Sequence, residues 1–77
     1  MLPFVGVALR VCEKMEIMDK DSQKIVMKFA KMYSPEKMGR IIEQAQVYSW
    51  WRRNPKAAFM KAVGVVNKEE KNGTNKI

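Results

Sequence analysis

Between positions 50 and 61 the chain carries Trp50, Trp51, Arg52, Arg53, Lys56 and Lys61 and no carboxylate. That set suits binding rather than bond-making. Cationic side chains neutralise phosphates and release counterions, and an exposed indole stacks on an unpaired base for about 1–3 kcal/mol. A second basic set, Lys24, Lys28 and Lys31, falls at helical spacing and makes a narrow positive stripe. Together these nine side chains are the candidate nucleic-acid contacts. Each set also has a plainer reading: the stripe as the solvated face of an amphipathic helix, and the indoles as large fillers of a small core.

Other chemistry finds little material. The chain has no histidine, which removes the commonest general base and metal ligand. Its one thiol, Cys12, falls within an apolar helical face, and Ser22, Ser34 and Ser49 have no base at hand. Glu13 and Glu16 stand one turn apart, a spacing common in ordinary helices. Carboxylates alone, not arranged as a calcium loop, make no metal site, and no glycine-rich phosphate cradle is present. The expectation is a non-enzyme with no catalytic residues, no metal and no cofactor.

Fifteen Lys and Arg against 8 Asp and Glu leave a net charge of +7 on 77 residues, which favours anionic partners. Nucleic acid, an acidic protein face and an anionic membrane surface all qualify. No apolar run approaches the roughly 20 residues of a membrane span. Residues 2–9 are apolar, but no basic segment precedes them and Arg10 ends the run, unlike a signal peptide. A single cysteine excludes an internal disulfide framework and fits a reducing, cytoplasmic setting.

The elements that must position these residues read as helices. Pro3 suits the opening turn of a first helix over 2–18, with Val5, Leu9, Cys12 and Met15 or Glu16 at spacings of three and four. Val7, Val11 and Met18 lie elsewhere on its circumference, so this helix is either central or pairs with a second copy. Asp19-Lys20-Asp21-Ser22 supplies caps for a second helix over 22–33, with Ile25, Val26, Phe29, Met32 and Tyr33 inward. Ser34-Pro35-Glu36 opens a third over 35–52, with Met38, Ile41, Ile42, Ala45 and Tyr48 inward. The same wheel puts Val47, Trp50 and Trp51 outward: either the helix ends near Ser49 and the indoles fold under the corner, or they form an exposed patch. Asn54-Pro55 opens the fourth helix, over 55–70, with Ala58, Phe59, Ala62, Val63, Val65 and Val66 inward. Seven methionines read mainly as core fillers, with Met27 and Met60 toward polar sides. The reading is therefore an all-α fold, a compact bundle of four helices over 1–71 followed by a flexible tail over 72–77.

The run from Tyr48 to Val63, with Asn54-Pro55 followed by Ala57, Ala58, Phe59, Ala62 and Val63, resembles a C-terminal helical segment of phage and plasmid replication proteins of the initiator or helicase-loader type. In those, a charged helix leads into an Asn-Pro step and a short alanine-rich helix with an aromatic. The resemblance spans residues 34–66. It implies association with DNA, single-stranded DNA included, through Arg52, Arg53 and Lys56, and a replication protein as neighbour.

Composition, charge and the resemblance converge on a non-enzymatic nucleic-acid-binding accessory module for DNA replication or a related transaction. Lys24, Lys28, Lys31, Arg52, Arg53, Lys56 and Lys61 would contact phosphate, and Trp50 or Trp51 would stack. The rival is an adaptor or inhibitor that docks on an acidic protein through Trp50, Trp51 and the first helix, since Trp and Arg dominate interface hot spots. A membrane-active basic helical protein is a third reading, carried by charge and the apolar first helix alone. A homodimer through the first helix fits either of the first two.

Overall fold

The computed structural model describes the backbone of residues 3–74 and the side chains of residues 4–71. It contains four helices, α1 (Pro3–Lys14), α2 (Lys20–Met32), α3 (Pro35–Ala45) and α4 (Pro55–Thr74), and no strand among the described residues. Three of the helices open in the same way. Asp19 Oδ2 accepts from the Ser22 amide at 2.9 Å, Ser34 Oγ from the Lys37 amide at 3.2 Å and Asn54 Oδ1 from the Ala57 amide at 3.2 Å. Each cap satisfies an amide that the helix itself leaves without a partner. Pro35 and Pro55 follow their caps directly, at the position where a missing N–H costs nothing.

The first helix ends earlier than residue 18. Glu16 adopts a left-handed backbone (φ 54°), the Ile17 amide donates to the Cys12 carbonyl at 2.9 Å and the Glu16 amide to the Glu13 carbonyl at 3.2 Å. This pair of bonds is a Schellman cap, and the buried Ile17 and Cys12 supply its hydrophobic contact. The second helix starts two residues before 22, because Asp19 is its cap and Ser22 its third residue, now buried. The fourth runs four residues past 70. The expected tail therefore begins inside α4, and residues 75–77 lie outside the described residues.

Chain direction follows from a few contacts. Phe4 and Pro35 line one depression with Ala30 and Tyr33, which puts the start of α1, the end of α2 and the start of α3 together. At the other end Gln46 Nε2 donates to the Lys14 carbonyl at 2.9 Å, joining the ends of α3 and α1. Phe29 meets Phe59 at 5.7 Å between centroids, Asn67 Nδ2 donates to the Tyr33 hydroxyl at 3.1 Å, and Glu70 pairs with both Lys37 and Arg40 at 3.2 Å. So successive helices alternate in direction, α1 runs parallel to α3 and α2 parallel to α4.

The core is Ala8, Val11, Cys12 and Met15 from α1 and its cap, Val26 and Ala30 from α2, Met38, Ile41, Ile42 and Ala45 from α3, and Ala58, Phe59, Ala62, Val63 and Val66 from α4, with Ile17 closing one end. The inward faces expected for α3 and α4 stand, except that Tyr48 and Val65 are only half-buried. For α1 the inward face is Ala8, Val11, Cys12 and Met15, and Leu9 is 55% exposed. Two apolar stripes compete on that helix, and the one with the small Ala8 allows closer approach of a neighbour. Met32, expected inward, is 60% exposed at the C-terminus of α2. Of the methionines among the described residues only Met15 and Met38 are fully buried, so core filling accounts for fewer of them than expected.

Candidate nucleic-acid interface

On α2, Lys20, Lys24, Lys28 and Lys31 follow one another at intervals of four, four and three residues, all exposed. Eleven residues of helix span about 16 Å, so the row presents a charge roughly every turn along one edge of the molecule. With Gln23 and Met27 these lysines line an open surface depression of about 530 Å³. Among the described residues the ion pairs are Lys37–Glu70, Arg40–Glu70 and Arg52–Glu16, and none draws on the row. The Lys31 ammonium stands 5.2 Å from the centre of the Phe4 ring, which tethers the upper end of the row to α1 through a cation–π contact.

The lower end of the row lies beside the cap of α2. Hydrogen bonding from Ser22 holds the Asp19 carboxyl below the usual carboxylate range, and the nearby Lys56 ammonium adds to that. Lys56, on the first turn of α4, is exposed.

The corner between α3 and α4 differs from a continued helix. The third helix ends at Ala45, not 52, and residues 46–54 form a chain of tight turns: Val47 to Gln44, Tyr48 to Ala45, Trp51 to Tyr48 and Arg53 to Trp50 are all amide-to-carbonyl bonds across three residues. A continued helix would hold both indoles outward. The turns bring Trp50 and Trp51 against the core edge instead, each half-buried. Covering about 100 Å² of an indole is worth about 2.5 kcal/mol. Two such gains outweigh the last turns of a helix that would end in Val47, Ser49 and two tryptophans, none of them strong helix formers.

At the corner the aromatics and cations interleave. The Tyr48 and Trp50 rings stack at 5.4 Å with an 8° tilt, and the Lys61 ammonium caps them at 4.9 and 5.9 Å from the respective centroids. The Arg52 guanidinium lies 5.1 Å from the Trp51 ring and its Nε 3.3 Å from Glu16 Oε2. Arg53 is exposed and in none of the ion pairs among the described residues. The nine candidates therefore do not form one surface: Lys24, Lys28 and Lys31 form the α2 row, Trp50, Trp51, Arg52, Arg53 and Lys61 belong to the corner, and Lys56 stands on the first turn of α4. Trp50 has one face taken by Tyr48 and Trp51 carries Arg52, so each indole has only part of its surface open to a base.

Lys20 belongs with the row, and a second helix opening at residue 22 leaves it out. Its signal was there, four residues before Lys24. Tyr48, counted only as an inward residue, is the stacking partner of Trp50.

Among the described residues no three His, Cys, Asp or Glu side chains gather as a metal site, and Cys12 is buried, with desolvation first and Asp19 second pushing its thiol pKa up. Among the described residues no helix is long and apolar enough to cross a membrane. Set against family models, curated proteins and solved structures, the chain matches none.

Proposed function

We propose that the chain is a non-enzymatic nucleic-acid-binding accessory module, acting in DNA replication or a related DNA transaction, with the α2 edge as its phosphate-binding surface. One observation carries this reading: Lys20, Lys24, Lys28 and Lys31 stand in line on an exposed helix face, in none of the ion pairs among the described residues. A structural surface of this size normally mixes charge signs. A row of one sign at the spacing of helical turns suits a strand of phosphates, which neutralises it and gains the entropy of released counterions. The likeness of residues 34–66 to replication-protein segments supports the choice of DNA.

The corner has the secondary role of stacking through the open part of Trp50 or Trp51. It is also where the adaptor reading would act, because Val47 (72% exposed), in the same run of turns, adds apolar surface to the half-buried indoles.

A labelled single-stranded and a labelled double-stranded oligonucleotide, titrated by anisotropy at low and moderate salt, test the proposal. Binding through the four lysines predicts that log K falls against log salt with a slope of about −3 to −4. No binding of either oligonucleotide at low salt refutes it and leaves the adaptor reading, for which indole emission would not respond to nucleic acid.

A further inference from the structure

The lysine row has an apolar neighbour on its α1 side. Gln23 lines both the depression of the row and a second depression that holds Leu9 and Met18, so the two surfaces meet along the seam between α1 and α2. Its Nε2 donates weakly to the Ile17 and Met18 carbonyls, at 3.5 and 3.4 Å, which lays the side chain across the lower end of that seam. Leu9 is 55% exposed and Met18 86%, so both carry open apolar surface. Met27 is half-buried among the lysines, and at the upper end the half-buried Phe4 ring lies 5.2 Å from the Lys31 ammonium. Leu9, five residues on from Phe4, and Met27, four before Lys31 in the antiparallel α2, share the middle. From Lys31 down to Lys20 the cationic edge is thus accompanied by apolar side chains at its top, middle and bottom.

We propose that the nucleic acid held by this edge is a single strand of DNA, its phosphates on the lysines and its bases turned toward α1 onto Leu9, Met18 and Met27. This assignment rests on the α2 row being the phosphate surface. A single strand is built in the same two parallel parts, charge along one edge and flat, largely apolar base faces along the other. Lysines four residues apart repeat about every 6 Å along the helix, so the row can follow consecutive phosphates. In a duplex the base faces are stacked and paired inside, and a straight helical edge meets phosphate and sugar. Leu9 and Met18 would then be covered without an apolar partner, whereas unpaired bases bury apolar area on both sides of the contact. A second copy of the chain carries the same net charge of +7, which opposes packing two such edges together.

Three labelled probes titrated with the full chain at low salt separate bases from phosphates: oligothymidylate, an abasic deoxyribose-phosphate strand of the same length, and a duplex of that length. The thymidylate strand should bind at least tenfold tighter than the abasic one, and tighter than the duplex although the duplex carries twice the charge. Leu9→Gln with Met18→Gln, at two exposed positions, should remove most of the preference for thymidylate while leaving abasic binding and its salt slope unchanged. Equal affinity for the thymidylate and abasic strands would overturn the assignment and leave the phosphate surface standing. A duplex bound more tightly than thymidylate would overturn it too, and so would a double variant that keeps the full preference, which would move the bases to the Trp50 and Trp51 corner. A parent chain that sediments as a dimer, with the double variant a monomer, would give the apolar strip to a second copy and overturn it likewise. Failure of all three probes to bind would remove the phosphate surface along with it.

Discussion

Arg52 Nε lies 3.3 Å from Oε2 of Glu16, and Glu16 is the one non-glycine residue with a positive φ among those described. The ion pair therefore anchors the aromatic corner to the strained cap of α1. The two effects have different sizes. A left-handed backbone costs a residue with a Cβ about 1 kcal/mol, whereas an ion pair this exposed contributes only a few tenths, about 0.2–0.5 kcal/mol. Glu16→Gly should accordingly stabilise the fold, by about 0.5 kcal/mol net, despite losing the pair. A urea melt showing a lower midpoint for Glu16→Gly would mean that the corner depends on that contact far more than its exposure suggests.

What the sequence made legible follows from how local each signal is. Ser34-Pro35 and Asn54-Pro55 marked helix starts because a cap and a proline act within four residues. The inward faces of α3 and α4 could be read because only one stripe on each is apolar. On α1 two stripes compete, and the choice of Ala8 over Leu9 is made by a neighbouring helix, not by the period. The end of α3 was beyond local reading for a similar reason. Nothing in residues 46–49 forbids a helix, and what stops it is the gain when Trp50 and Trp51 reach the core edge, which depends on where α4 lies. The early end of α1 was equally hidden, since a Schellman cap usually announces itself by glycine and here uses Glu16. The lysine row, by contrast, needed only the helical period.

The upper end of the bundle is closed by Tyr33. Its hydroxyl accepts from Asn67 Nδ2 at 3.1 Å, the Lys37 ammonium stands 3.9 Å from its ring centre, and Phe29 stacks beside it at 5.6 Å. Tyr33→Phe keeps the ring contacts and removes the acceptor, and should cost about 1 kcal/mol, the net worth of a partly buried hydrogen bond. Tyr33→Ala removes the ring as well and should cost clearly more. Equal melting midpoints for the two variants would show that the ring contributes nothing beyond its hydroxyl.

Acid should weaken the fold through the cap of α2. Hydrogen bonding from Ser22, with Lys56 adding, lowers the folded-state pKa of Asp19 below its ordinary 3.8. A carboxyl depressed in this way stabilises the folded state above its unfolded pKa, and the contribution fades as pH falls from about that value through the folded one. Asp19→Asn keeps a side-chain oxygen to cap the helix but cannot titrate. Relative to the parent, its stability should fall less steeply below pH 3.8, with the two curves parallel above it. An acid limb identical in parent and variant would assign the sensitivity to other carboxylates.

The lysine edge makes a sharper demand on binding than on folding. Lys24, Lys28 and Lys31 are exposed and outside every ion pair among the described residues, so replacing all three by glutamine should leave the melting midpoint nearly unchanged, each substitution being worth no more than about 0.5 kcal/mol. Nucleic-acid affinity should fall at least tenfold at low salt, and the slope of log K against log salt should shrink by about 2–3, one phosphate contact for each charge removed. Arg52→Gln is the matched control: it removes one cation that already has a carboxylate partner at 3.3 Å, away from the row. Its slope should change by less than about one unit. If the triple substitution leaves the slope intact while Arg52→Gln reduces it, the phosphates lie against the aromatic corner and α2 is a solvated face.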